Sequence, residues 1–309
     1  MDLKFFCRLK KMGKTVSKKA KKLKYLFILN PVAGVGARRD FLVMIEKACK
    51  DKRVPFKILF TRCAGDAKKI IEKKFDKFDV FVAVGGDGTM NEVGSALAGT
   101  SGIMGLIPAG SGNALGRELG LSMKPEEAVK QLLNGHPIKI DTGLANGHRF
   151  MNLCGMGFDD HIARCFNKST SRGPVPYFKA TMKEFFGYKP GEYEVEADGV
   201  VKKHTAFVIA VTNTSQYGNN AFIAPKANVT DGILDFSALK PFGFFGAIGL
   251  GFRLFNKTIH QSKLSTYFKT QKVTIRGENL NFHIDGEPVN NSDTLEITID
   301  PLSLNIIVP

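Results

Sequence analysis

The chain reads as an α/β half followed by an antiparallel β-sandwich, and three observations predict this. Between residues 24 and 140 short apolar runs alternate with stretches of helical spacing, the grammar of a parallel sheet covered on both faces. Past residue 140, segments of period two separated by Asx and Gly turns take over. The 309 residues, 43% of them hydrophobic, supply enough chain for two cores.

The first half begins with Tyr25 to Asn30 (YLFILN), a run of strand length stopped by Asn30-Pro31. Phe41, Met44, Ile45 and Ala48 recur at helical spacing, which predicts a helix over 38–51. Phe56–Phe60 follows as a strand, Asp66–Phe75 as a helix, and Asp79–Val84 (DVFVAV) as a strand buried on both faces. A helix over 90–98, a strand over 103–107 and helices near 113–120 and 125–134 complete this half.

In the second half the predicted strands are Glu192–Ala197, His204–Val211, Leu234–Leu239, Lys272–Arg276, Asn281–Ile284, Leu295–Ile299 and Leu304–Val308. Asp198-Gly199 and Asp231-Gly232 mark turns between them. Pro241–Asn256 is a helix-like insert rich in Phe and Gly. Its Phe242, Phe244, Phe245, Ile248, Phe252 and Phe255 form a stripe that faces either the core, the commoner use, or lipid. The domains read as a basic tail over 1–23, a first domain over 24–140 and a second over 141–302.

Lys and Arg number 44 against 29 Asp and Glu, a formal charge of +15. Residues 1–24 hold ten Lys/Arg and one acid, a local +9 that leaves +6 for the other 285. The folded body is therefore only mildly basic, and no nucleic-acid partner is expected of it. Composition excludes disorder of the whole chain, and no apolar run reaches the ~18 residues of a membrane-spanning helix. Five cysteines without a CxxC pair describe a reduced chain with neither a disulfide framework nor a zinc site. With no apolar core of a secretory signal at the start, a cytoplasmic location is expected. The six histidines make no HxxxH or HExxH pattern and read as structural, although His283 stands beside Asp285.

Every cluster of functional character in the first half follows a predicted strand: Asn30–Gly34, Gly85–Thr89 and Pro108–Asn113. Ligands of an open parallel sheet bind outside the carboxyl ends of its strands. Glycine lets backbone approach phosphate oxygens, and helix N-termini offer unpaired N–H groups. One such loop serves turn geometry alone; three at one sheet edge point to a nucleotide. No G-x-x-x-x-G-K-[ST] occurs, Gly110-x-Gly112-x-x-x-Gly116 misses the dinucleotide spacing by one residue, and no His-Arg-Asp loop is present.

GGDGTMNEV (85–93) resembles the signature of the diacylglycerol kinase catalytic domain, which soluble bacterial lipid kinases share with sphingosine and ceramide kinases. Its GGDGT core is also that of NAD kinases and phosphofructokinases. NPVAG (30–34), TRCAGDA (61–67) and PAGSGNALGRELG (108–120) resemble the family's other nucleotide segments, the last in the form of sphingosine and ceramide kinases. TDGILDF (230–236) and HIDGEP (283–288) resemble its D-G-x-L-D and D-G-E motifs. The resemblance spans roughly residues 24–309.

It implies a three-layer N-terminal domain like that of phosphofructokinase and NAD kinase, a C-terminal β-sandwich, and a site in the cleft between them. The last strand, 303–309, is implied to return to the first domain. Asn30, Pro31, Val32, Ala33, Gly34, Thr61, Gly86, Asp87, Gly88, Thr89, Met90, Asn91 and Ser111 are implied to hold ATP, with Asp87 organising Mg2+ through water. A second, structural magnesium site is implied at Asp231 with the carbonyls of Asn228 and Ile233. Either Asp285 or Glu287 is implied to activate the acceptor hydroxyl. Strand alternation puts the two on one face, where each would raise the other's proton affinity.

NLCGMGFDD (152–160) resembles the segment with which sphingosine kinases read a head group, which implies Asp159 or Asp160 at the acceptor. The implied activity is phosphoryl transfer from ATP to a lipid hydroxyl, diacylglycerol first, with sphingoid bases or other lipids next. An NAD kinase and a non-catalytic lipid or nucleotide sensor are the remaining alternatives. An acceptor dissolved in a membrane makes the enzyme a peripheral, membrane-surface one. The basic tail reads either as a tether to anionic membrane, with Phe5 and Phe6 inserted, or as a solubilising extension; a homodimer is left open.

Overall fold

The computed structural model describes residues 22–31, 38–168 and 181–309. The tail up to residue 21 and Val32, Ala33 and Gly34 lie outside the described residues. Strand β1 (Tyr25–Leu29) is apolar and buried at all five positions, so it sits mid-sheet. It pairs in parallel with β2 (Phe56–Phe60) on one side and β3 (Val80–Gly85) on the other, and β3 pairs in parallel with β4 (Ile103–Pro108).

Helices cover both faces. Ile45 and Cys49 of α1 (Arg38–Lys52) and Val129 and Leu132 of α5 (Pro125–Asn134) pack against Phe27, Val80 and Val82. On the other face lie α2 (Asp66–Lys74), α3 (Asp87–Leu97) and α4 (Ala114–Glu118), whose Ile71, Val93, Leu97 and Leu115 meet Leu26, Ile28, Phe81 and Leu106. The result is the three-layer α/β unit that alternation of strand and helix signals foretold. Each such side chain contributes ~1.5–3 kcal/mol by leaving water.

The second half is antiparallel, built from β5 (His136–Ala145), β6 (His148–Phe150), β7 (Leu153–Gly157), β8 (Gly191–Ala197), β9 (Val200–Ala206), β10 (Val208–Thr212), β11 (Leu234–Leu239), β12 (Ser265–Thr270), β13 (Lys272–Ile284) and β14 (Glu287–Val308). Phe150, Met156, Val211, Phe236, Ile275, Phe282 and Ile297 fill its core. Helices lie against it, among them α6 (Phe158–Lys168) and α7 (Phe244–Phe255).

Several segments differ from the sequence expectation. Lys272–Arg276 and Asn281–Ile284 are one strand, β13, with a register shift between Arg276 and Leu280. Leu295–Ile299 and Leu304–Val308 are likewise parts of the single β14, shifted between Asp300 and Leu304. His204–Val211 is instead broken at Phe207, between β9 and β10. Beyond its shift, β14 runs antiparallel to His136–Ile140 while Asn305 and Ile306 lie parallel beside Ile103 and Met104 of β4. One strand thus joins the two halves.

Of the Phe stripe, Phe242 packs into an aromatic cluster just before α7, while the members within α7 do not join the core. Only Leu250 of this helix is buried, whereas Phe245 and Phe252 are 87% and 74% exposed. Among the described residues no helix is long and apolar enough to cross a membrane.

Candidate active site

The glycine-bearing loops close on one another at the carboxyl ends of β1, β3 and β4. The Gly85 carbonyl accepts the Ala109 N–H at 2.8 Å, and Asn30 Nδ2 donates to Thr89 Oγ1 at 3.2 Å. A Cβ on Gly110 would lie 2.5 Å from Gly86 Cα, so the second and third loops meet backbone to backbone and tolerate no side chain there. Asn113, in the left-handed region at φ 52°, folds the third loop by bonding both the N–H and the carbonyl of Gly110.

Asp87 opens α3 and reaches across to the N-terminus of α4. Its Oδ2 accepts the Asn113 N–H and its Oδ1 the Ala114 N–H, both at 2.9 Å. Burial pushes this carboxyl up against the pull of those two donors. Thr61 is buried at the end of β2 with its N–H on the Leu29 carbonyl, Pro31 is half-buried beyond Asn30, and Ser111 is exposed in the loop between β4 and α4. Met90 belongs to the core rather than to a ligand: its side chain is buried among α3's apolar neighbours and its N–H donates to the Gly86 carbonyl. Asn91 is likewise committed, its Nδ2 donating to the Arg149 carbonyl and to Asp285 Oδ2, each at 2.8 Å. It braces the first half to the second and has no donor left for a phosphate.

Asp285 and Glu287 do not share a strand face. Asp285 and Gly286, at φ 49° and 87°, are the two turn residues of a hairpin in which Ile284 pairs with Glu287. The Asp285 carboxylate is buried and receives four donors: Asn91 Nδ2 and Met151 N on Oδ2, Asn152 N and Leu153 N on Oδ1. Burial, rather than the neighbouring Glu287, raises its proton affinity, and the N–H donors oppose that rise. Glu287 is exposed, and a Cβ on Gly88 would come within 3.2 Å of its Oε1. The second half therefore delivers one carboxylate to the first turn of α3.

Behind the turn, His283 is buried and accepts the Gly286 N–H on Nδ1, which leaves the proton on Nε2, 3.0 Å from Asp159 Oδ2. Burial pulls the ring's pKa down, but the carboxylates of Asp159, Asp160 and Asp285 together more than offset this and raise it. Asp160 is held by Arg164 at 2.6 Å and is 2% exposed, while Arg164 also donates to the carbonyls of Phe282 and Val289. Asp159 and Asp160 are thus each ion-paired, with His283 and Arg164, while Asp160 Oδ1 is buried without a hydrogen bond. Asp160, His161 and Arg164 border an open cavity of about 940 Å³ with Tyr188 and Tyr193.

Residues 24–145 match the family profile described as the diacylglycerol kinase catalytic domain, and residues 152–308 that of the YegS C-terminal NAD kinase beta sandwich-like domain. The chain belongs to the diacylglycerol kinase catalytic-domain family. It is 27% identical over 285 residues to a diacylglycerol kinase of Bacillus subtilis, covering 88% of each chain. It is 26% identical over 253 residues to a probable YegS-like lipid kinase of Pseudomonas putida, covering 80% of this chain and 83% of that one. A candidate diacylglycerol kinase of Bacillus anthracis shares the fold, with a TM-score of 0.80 at 24% identity over 95% of this chain and 98% of that one.

Kinases of this family use ATP and a divalent metal. In this lipid kinase Asp87 fits a metal beside phosphates: its desolvated carboxylate lies where the second and third loops meet and accepts backbone N–H groups, and a Cβ on Gly112 would block Oδ2 at 2.7 Å. The Asp231 set does not fit a second metal as arranged. Its Oδ1 accepts the Ile233 N–H, and the Lys269 ammonium lies 2.8 Å from its Oδ2 and 3.6 Å from Asp235 Oδ2. Asn228 turns its side-chain oxygen to Thr230. A lysine supplies the positive charge that the sequence reading assigned to magnesium.

Three positioning residues escaped the sequence reading. Glu92 Oε1 accepts the Ala67 and Lys68 N–H groups and so caps α2 from α3. Asp141, wholly buried, accepts the Gly232 and Leu302 N–H groups. Glu118 Oε2 binds the N–H and hydroxyl of Ser215, tying α4 to the second half. Glu92 stood inside the recognised motif, yet no local signal says whose helix it caps.

Proposed function

We propose that this lipid kinase transfers the γ-phosphate of ATP to the hydroxyl of diacylglycerol, with Mg2+ as the metal and Glu287 as the base. The observation that carries the reading is the Glu287 carboxylate lying against Gly88, at the first turn of α3. The unpaired N–H groups and partial positive charge of that helix end favour phosphate. A base beside it meets a hydroxyl in line with the transferred group.

The backbone around Gly86 and Gly110 is bare enough to lie close to the phosphates, and Asn30 with Thr89 fixes the edge of the first loop against the second. Mg2+ bound near Asp87 would neutralise charge on the phosphates. Asp285, whose lone pairs are taken by four donors, holds the turn in place instead of moving protons. Glu287 then takes the hydroxyl proton as the acceptor oxygen attacks. A sphingoid base would bring an ammonium group, which at Asp159 or Asp160 has to compete with the ion pairs these acids make with His283 and Arg164. That favours an uncharged acceptor head.

The test is a labelled-ATP assay with magnesium and a panel of diacylglycerol, phosphatidylglycerol, sphingosine, ceramide and undecaprenol. Phosphorylated diacylglycerol as the main product is expected. Labelling of sphingosine alone would overturn the acceptor, and no labelled lipid would overturn the reading.

A further inference from the structure

We propose that the exposed face of α7, extended by Phe186, is the surface with which this enzyme docks on an anionic lipid bilayer. The inference rests on the reading that its acceptor is a membrane lipid, and it assigns the contact to the folded body instead of the tail. Helix α7 carries one charged residue, Arg253. Its buried side is satisfied by Leu250 and Leu254 in a small aromatic cluster. The opposite side repeats Phe245, Ile248, Phe252 and Phe255 at spacings of three, four and three, one continuous stripe, and all four are exposed. A helix apolar on every side belongs in a core or against lipid, and a patch this size on a surface marks an interaction site.

Charge selects the partner. Residues 236–277 contain no Asp or Glu, while Lys240, Arg253, Lys257 and Lys263 lie in or beside the helix. A second copy placed face to face would set these cations against one another, whereas an anionic bilayer pairs with them and buries the rings. The patch also leads toward the site. Rings run from Phe245 through Phe244, Phe186 and Phe185 to Phe158, with successive centroids 5.9, 6.1, 5.4 and 6.2 Å apart. Phe158 adjoins Asp159, the partner of His283 behind the Asp285 turn. Docking on this face therefore sets the acceptor end of the enzyme close to the lipid.

The test compares the full chain with its Phe245→Ser/Phe252→Ser variant by co-sedimentation with vesicles of phosphatidylcholine and phosphatidylglycerol. Salt is kept high enough to screen the basic tail. The variant should bind about tenfold more weakly or worse, with its melting temperature and its turnover of detergent-dispersed short-chain diacylglycerol unchanged. Equal binding by the two proteins would overturn the proposal. So would sedimentation equilibrium showing a wild-type dimer that the variant dissolves, because the face would then belong to a second copy. Vesicle binding needs no ATP, so binding lost in the variant alongside a wild type inert on diacylglycerol would sink the acceptor and leave the docking face standing.

Discussion

Glu287 and Asp285 stand two residues apart in very different surroundings, one exposed and one buried. Asp285 is locked by three backbone N–H groups and an amide, so its loss leaves those donors stranded in the interior. Asp285→Asn should destabilise the fold by ~1–3 kcal/mol in a urea titration and depress turnover by moving the turn. Glu287→Gln should leave stability unchanged and cut turnover ~10²–10⁴-fold, the usual worth of a positioned base. Both residues were legible in the sequence through the D-G-E motif. What distinguishes them, the four donors on Asp285, was not, because those donors come from residues 91 and 151–153, far away in the chain. Apart from the family resemblance, the Asp-Gly pair reads as a hairpin turn followed by an exposed Glu, and the structure has that turn.

At the scale of elements, positions depend on contacts that a local pattern does not carry. The N-terminus of α2 is capped by Glu92, 25 residues downstream, so Glu92→Ala should cost ~0.5–2 kcal/mol and be visible in thermal unfolding. Lys269 neutralises Asp235, which is wholly buried and also bonded by the Tyr267 hydroxyl. Lys269→Met should cost ~1–3 kcal/mol, discounted because the lysine is partly exposed, and magnesium should not raise the melting temperature of the native protein through this cluster. The strands buried on both faces, β1 and β3, were readable as unbroken apolar runs. β5 and β12 were not, since His, Pro, Lys and Ser interrupt them and their hold comes from pairing with β14 and β11.

At the scale of the whole molecule, β14 makes the two halves one structure. Its start carries Glu287 to α3, and its end lies between β4 and β5. Deleting residues 303–309 should strip a central strand and abolish the folded circular-dichroism signal of both halves, rather than release an intact second half. The alternating grammar of the sequence revealed two architectures and the edge at which nucleotide loops gather. It could not show that segments on either side of a register shift are a single strand, or that an apolar helix would be left facing outward. The central proposal is that Glu287 meets diacylglycerol at the first turn of α3. The most direct test measures phosphate transfer from labelled ATP to detergent-dispersed diacylglycerol by the native protein and by Glu287→Gln. Robust phosphatidic acid formation by the first and its near loss in an equally stable second is the expected result; equal turnover by both would contradict it.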